Sequence, residues 1–203
     1  MPPAPTRSRR TSLLSAGELD RARVLDTLVN NLDGMAYRCR NDASWRMIFV
    51  SQGCLMLTGY QPNELVENAA ITWEDITHPE ERAHVRAHIN AAVLGGQRFS
   101  VQYRIVTKSG HMKWVVERGV AVPDEKGEVV IEGFIEDVTN QREMLEALEQ
   151  AELRYRNIFE HASEGIFQTT PDGRYLAANP ALARLYGYAS TQALIVNLDD
   201  IGR

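Results

Sequence analysis

The stretch that most restricts the fold runs from Phe99 to Val138, where the apolar period changes from helical to strict alternation. Phe99, Val101, Tyr103 and Ile105 alternate with Ser100, Gln102 and Arg104, the pattern of a strand with one buried face. Lys108-Ser109-Gly110 turns the chain into Met112–Val122, and Asp124-Glu125-Lys126-Gly127 turns it again into Val129–Val138. Three strands joined by short polar turns specify an antiparallel meander. Its apolar face needs cover from elsewhere in the chain.

The cover lies upstream. Gly34–Arg40, with Met35, Tyr37 and Cys39 on one face, and Arg46–Ser51 read as a hairpin about the turn Asn41-Asp42-Ala43-Ser44. Short helices follow around Gln52–Leu57 and Pro62–Val66, separated by Gly59-Tyr60. His78-Pro79 opens a longer helix whose stripe is Val85, Ile89 and Val93, and Gly95-Gly96 ends it. Helices gathered between two groups of strands predict an α+β domain over residues 34–138, with helices packed on an antiparallel sheet. Before it, residues 1–14 are rich in Pro, Ser and Arg and read as a disordered leader. Residues 15–33 read as an amphipathic helix, from the capping box Ser15-Ala16-Gly17-Glu18 through Leu25, Leu28, Val29 and Leu32.

Residues 139–162 return to a helical pattern. Val138, Gln141, Leu145, Leu148, Glu152, Tyr155, Phe159 and Ala162 fall on one seam of a seven-residue repeat, a coiled-coil signal with polar interruptions at Gln141 and Glu152. Beyond it the chain repeats itself. Gly34-Met-Ala-Tyr37-Arg38 matches Gly165-Ile-Phe167-Gln168 at an offset of 131 positions, and Ser51–Tyr60 matches Asn179–Tyr188 at 128. The difference falls in the hairpin turn, where Pro171-Asp172-Gly173 is the tighter connection. Residues 163–203 therefore read as the first half of a second copy, truncated before its long helix and meander. Half a sheet predicts that this segment is poorly packed or borrows contacts from a partner chain.

Composition narrows the function. A net charge of −5 argues against a nucleic-acid footprint. Two cysteines, Cys39 and Cys54, are too few for a disulfide framework, which fits a reducing cytoplasm. Arg7, Arg9 and Arg10 have no apolar run behind them, and no stretch is long enough to span a bilayer.

The residues of the complete copy resemble the PAS domains, with their C-terminal PAC segment, of bacterial sensors. The resemblance rests on Gly59-Tyr60 behind Leu55 and Leu57, and on Thr77-His78-Pro79-Glu80-Glu81-Arg82 at the start of the long helix. It also rests on Tyr103-Arg104 with Ser109-Gly110 and Trp114-Val115, and on Gly133-Phe-Ile-Glu-Asp137-Val138-Thr139. The second copy is similar to the first half of the same family. The resemblance implies a five-stranded antiparallel sheet with helices cupped over one face, homodimerisation, and an output helix leaving from Asp137-Val138-Thr139. Asp and Thr at a strand-to-helix junction are also placed to accept from free helix N–H groups.

The implied function is sensory input and dimerisation within a multidomain signalling protein, with a sensor histidine kinase as parent. The alternatives are the input region of a diguanylate or adenylate cyclase and a ligand-free structural spacer. No catalytic motif stands in the segment, and no cofactor is required by it. His161 lacks the surroundings of a kinase phosphoacceptor. Cys54, in Gln-Gly-Cys-Leu-Met-Leu, lacks those of a flavin-reactive cysteine and reads as a small buried apolar residue. His84 and His88 are spaced for a metal or haem, but lie about 130° and 90° from the buried stripe with no third ligand nearby. They read as surface residues. Tyr37, Leu55, Val85, Ile89, Tyr103 and Ile135 are expected around the cup interior, where a small apolar ligand could replace part of the core.

Overall fold

The structure, a computed structural model, describes residues 16–198. The leader, Ser15 of the capping box and the acidic pair Asp199-Asp200 lie outside the described residues. The chain divides into two compact units, residues 1–140 and 141–203.

In the first unit, helix α1 (Ala16–Asn30) precedes β1 (Met35–Arg40) and β2 (Met47–Val50). Asp42 Oδ1 shapes their turn by accepting from the Ser44 amide at 3.1 Å and the Arg46 amide at 3.2 Å. Short helices α2 (Gly53–Thr58), α3 (Pro62–Leu65) and α4 (Trp73–Ile76) lead to the long α5 (Arg82–Leu94). The meander is β3 (Phe99–Val106), β4 (Met112–Pro123) and β5 (Val129–Asp137). All pairs are antiparallel and the order is β2-β1-β5-β4-β3. The last strand of the meander is thus the middle of the sheet, paired on one side with β1.

Two features depart from the sequence pattern. Helix α4 is built by a reciprocal cap, with Thr72 Oγ1 accepting from the Asp75 amide and Asp75 Oδ2 accepting from the Thr72 amide. The Thr72-x-x-Asp75 spacing was its signal. The long helix opens at Arg82 rather than at His78-Pro79, because the His78 amide donates to the Arg104 carbonyl on β3 at 2.9 Å. That bond holds the segment against the sheet before the helix begins.

Register gives the inward face of the sheet. Met35, Ile135, Glu117 and Val101 lie across from one another, as do Tyr37, Gly133, Gly119 and Phe99. Both glycines are needed for space. A Cβ on Gly133 would stand 2.6 Å from the Arg118 carbonyl oxygen and 2.8 Å from the Tyr37 ring, and one on Gly119 would stand 2.6 Å from the Phe99 ring. The core gathers Met35, Tyr37, Cys39, Trp45, Met47, Cys54, Leu57, Leu65, Trp73, Val85, Ile89 and the inward residues of the meander. Val24, Leu25, Leu28 and Leu32 along and just beyond α1 are exposed.

The second unit contains most of α6 (Thr139–His161), the hairpin β6 (Phe167–Thr169) and β7 (Tyr175–Ala178), and α7 (Pro180–Leu185) and α8 (Thr191–Asn197). No residue of α6 is buried. A small core forms from Tyr175, Ala178, Leu182, Ala183 and Leu194, while Phe167, Leu176, Leu185, Tyr186 and Val196 stay exposed. Buried Asn179 ties it: Oδ1 accepts from Ile166 and Leu182 amides, both at 2.9 Å, and Nδ2 donates to the Glu164 carbonyl at 2.8 Å. In the first unit Ser51 Oγ likewise accepts from the Ala36 amide at 3.0 Å. Ser51 and Asn179 correspond, so Ala36 corresponds to Ile166 and Tyr37 to Phe167. The first strands of the repeat therefore match one residue away from the sequence alignment, a slip that exchanges the two faces of a strand.

Gly133→Ala is expected to lower stability by about 1–3 kcal/mol through overpacking against Tyr37 and Arg118. Urea unfolding checks this; an unchanged midpoint would contradict the packing described.

Candidate functional site

The cup interior is polar at its centre. Glu117 sits at an inward position of β4, 4% exposed among apolar neighbours. The Tyr103 hydroxyl donates to Glu117 Oε2 at 2.5 Å, the Tyr37 hydroxyl donates to Glu117 Oε1, and Trp73 Nε1 donates to the Tyr103 oxygen at 2.9 Å. Tyr37 reaches the carboxylate by lying over Gly133. Burial pushes the Glu117 carboxyl above its ordinary range, while the bonds from Tyr103 and Tyr37 pull it back. Burial also raises both tyrosines, with Glu117 adding to the effect, so their hydroxyls stay protonated and donate.

Of the six residues expected in the cup, Tyr37, Val85, Ile89, Tyr103 and Ile135 are buried there. Leu55 is not: it is 39% exposed. Helix α2 turns Cys54, Leu57 and Thr58 inward, and Leu55 falls about 100° round from Cys54. A small cavity of about 10 Å3 remains beside the network, lined by Tyr37, Trp45, Trp73, Val85, Ile89 and Glu117 among others. Sequence reasoning missed Glu117, Trp45 and Trp73. The signal for Glu117 was its phase, since Val115, Glu117 and Gly119 share one face of a strand.

Cys54 is fully buried, and burial raises its thiol to about 11. His84 and His88 lie on the exposed face of α5, ring centroids 6.2 Å apart. Among the described residues, no three His, Cys, Asp or Glu side chains cluster as metal ligands.

The exit Asp137-Val138-Thr139 forms a compact knot. Asp137 Oδ1 accepts from the Thr139 amide at 3.0 Å and its hydroxyl at 2.6 Å. Thr139 Oγ1 accepts from the Trp114 amide at 3.0 Å, so it binds the sheet rather than a helix N–H group. The Val138 amide donates to the Trp114 carbonyl at 2.9 Å. Lys113 Nζ lies 3.0 Å from Asp137 Oδ2 and donates to the Met56 carbonyl of α2 at 2.9 Å. Although partial burial acts to raise Asp137, the bonds from Thr139 and Lys113 hold it below the usual carboxylate range. Asp137 pairs with Val115, and Lys113 with Ile105. The knot therefore stands on the rim of the cup, on its inward face.

An antiparallel five-stranded sheet with one face cupped by short helices and one long helix defines the PAS class of α+β domain. Residues 47–135 match the family model described as PAS fold, and residues 153–203 match one described as PAS domain. The chain belongs to the PAS-domain family. Its fold resembles that of a PAS domain from Colwellia psychrerythraea (TM-score 0.50, 18% identity), covering 60% of this chain and 98% of that one. It also resembles an RNA-binding light-oxygen-voltage receptor (TM-score 0.53, 19% identity), covering 70% of this chain and 40% of that one. By sequence it is 30% identical over 145 residues to a methyl sulfide methyltransferase-associated sensor of Methanosarcina acetivorans, covering 70% of this chain. It is 32% identical over 108 residues to a blue-light-activated histidine kinase of Brucella ovis, covering 52% of this chain. The chain spans 14% of the length of the first relative and 21% of the second.

Glu117 yields a pH prediction. An acid whose folded pKa is raised favours the folded state below its unfolded pKa, and that contribution is lost as pH rises through the folded value. Wild-type stability should therefore fall relative to Glu117→Gln as pH climbs above the ordinary glutamate range. Urea midpoints of both proteins across pH measure this; parallel curves would show that Glu117 does not titrate differently on folding.

Proposed function

We propose that this chain is the sensory and dimerising input region of a longer signalling protein, with a sensor histidine kinase as the parent. The observation that carries the reading is the knot at the rim of the cup. Cys54 and Leu57 of α2 are part of the cup core, and the same helix offers its Met56 carbonyl to Lys113. Lys113 pairs with Asp137, and Asp137 holds Thr139 at the start of α6. A change in what fills the cup would shift α2 and reach the outgoing helix through groups within hydrogen-bond distance. The names of the two relatives, a sensor and a histidine kinase, support the parent class. In this reading the segment transmits and does not catalyse.

Helix α6 supplies the dimer contact in this proposal. Leu145, Leu148 and Tyr155 of the seven-residue seam are exposed, and a second copy laid along them would bury that stripe. No helix among the described residues is long and apolar enough to cross a membrane.

Asp137→Ala and Thr139→Ala in the parent protein are expected to bring the stimulated-to-unstimulated output ratio close to one. Each should cost the domain only about 1 kcal/mol, the usual worth of a cap. Autophosphorylation with and without stimulus, beside thermal unfolding, reads both. A normal response in both variants would remove the knot from the signal path.

A further inference from the structure

We propose that the cavity beside Glu117 is a site for a small alkylammonium cation, admitted when Trp45 swings outward. This rests on the sensory reading of the cup and names the chemistry it would detect, in place of the apolar molecule that the residue pattern suggests.

The charge of the cavity is one-sided. Glu117 lines it and no Lys, Arg or His does, while the rings of Trp45, Trp73 and Tyr37 form much of its wall. Aromatic faces and a carboxylate attract cations, and the attraction grows when both are removed from water. An anion would meet Glu117 directly, and a neutral molecule would gain nothing from the carboxylate's charge. The acceptor arithmetic agrees. A carboxylate offers about four lone-pair sites, and Tyr37 and Tyr103 each occupy one with an O–H donor. The remaining sites suit the N–H donors of an ammonium group, while its methyl groups would rest against the indoles.

Size and access point to Trp45. The cavity of about 10 Å3 has room for one water-sized species, so even methylammonium needs a wall to move. Trp45 is in the β1–β2 turn rather than in a strand, and its φ of +50° is a conformation that a bulky residue adopts only under constraint. Arg86 packs over this turn. Its guanidinium covers the Trp45 ring at 4.4 Å and donates to the carbonyls of Asp42 at 3.1 Å and Ala43 at 2.6 Å. Glu74 anchors it at 2.7 Å. The indole is thus packed in the core on one side and covered by Arg86 of α5 on the other.

The test titrates the full chain with methylammonium chloride and trimethylammonium chloride, against sodium chloride at equal ionic strength. Sodium acetate and tert-butanol serve as anionic and neutral controls. Tryptophan fluorescence and thermal unfolding are read together. The expected result is a saturable fluorescence change and a higher unfolding temperature with at least one ammonium salt, and neither with the controls. Affinity should drop about tenfold or more in Glu117→Gln, the worth of one charge-assisted bond. Should that variant lack cooperative unfolding, Trp45→Ala decides, with a comparable loss expected. Arg86→Ala should bind faster. No saturable response to either cation in cooperatively folded wild type, an equal response to acetate or tert-butanol, or undiminished affinity in the deciding variant would overturn the proposal. If the cations fail while Asp137→Ala still uncouples the parent, the sensory reading stands and only the ligand class falls. If cations bind but Asp137→Ala signals normally, the site stands and the transmission route falls.

Discussion

A carboxylate in the middle of an apolar sheet face must be given hydrogen bonds or be protonated, and this constraint organises the cup. Glu117 takes a donor on each oxygen, from Tyr37 on β1 and Tyr103 on β3. Those strands flank β5 and β4, so the network crosses four strands and reaches α4 through Trp73. Leaving one partner out would strand a buried polar group at a cost of roughly 1–3 kcal/mol. The glycines follow from the same demand. Tyr37 can reach across only because Gly133 has no Cβ beneath it.

The domain has a polar centre and a polar rim of different character. At the centre, donors converge on one buried acceptor, so the arrangement is sensitive to any charge placed beside it. At the rim, Lys113, Asp137 and Thr139 join β4, α2 and α6 through short contacts that are partly open to water. Each contact is modest alone. Together they tie Thr139, the first residue of α6, to the sheet.

Much of this was legible in the sequence. Period-two alternation from Phe99 onward gave the three strands, and the stripe Val85, Ile89, Val93 gave the long helix and its buried side. The exit was legible only in part: Asp137 accepts from the Thr139 amide as the junction suggested, while Thr139 accepts from the Trp114 amide of the sheet instead of a helix N–H group. Leu55 was misplaced because a helix of six residues is too short for its period to fix a face. Helix α4 was missed because four residues carry almost no periodic signal, and only the cap Thr72-x-x-Asp75 marked it. Glu117 was passed over because adjacent or isolated carboxylates are usually solvated.

The sequence by itself determined what depends on neighbours along the chain: the strand and helix periods, the turns, the repeat and the family. Local backbone preference and side-chain phase suffice for these, and they act within a few residues. Only the tertiary structure decided that β5 would sit between β4 and β1, bringing Tyr37 within reach of Glu117 some 80 residues away. It also decided that the repeat's first strands pair one residue away from the sequence match, and that Trp45 lines the cavity beside Glu117. These outcomes depend on cross-strand register and on space left by glycine, which arise only when distant segments pack.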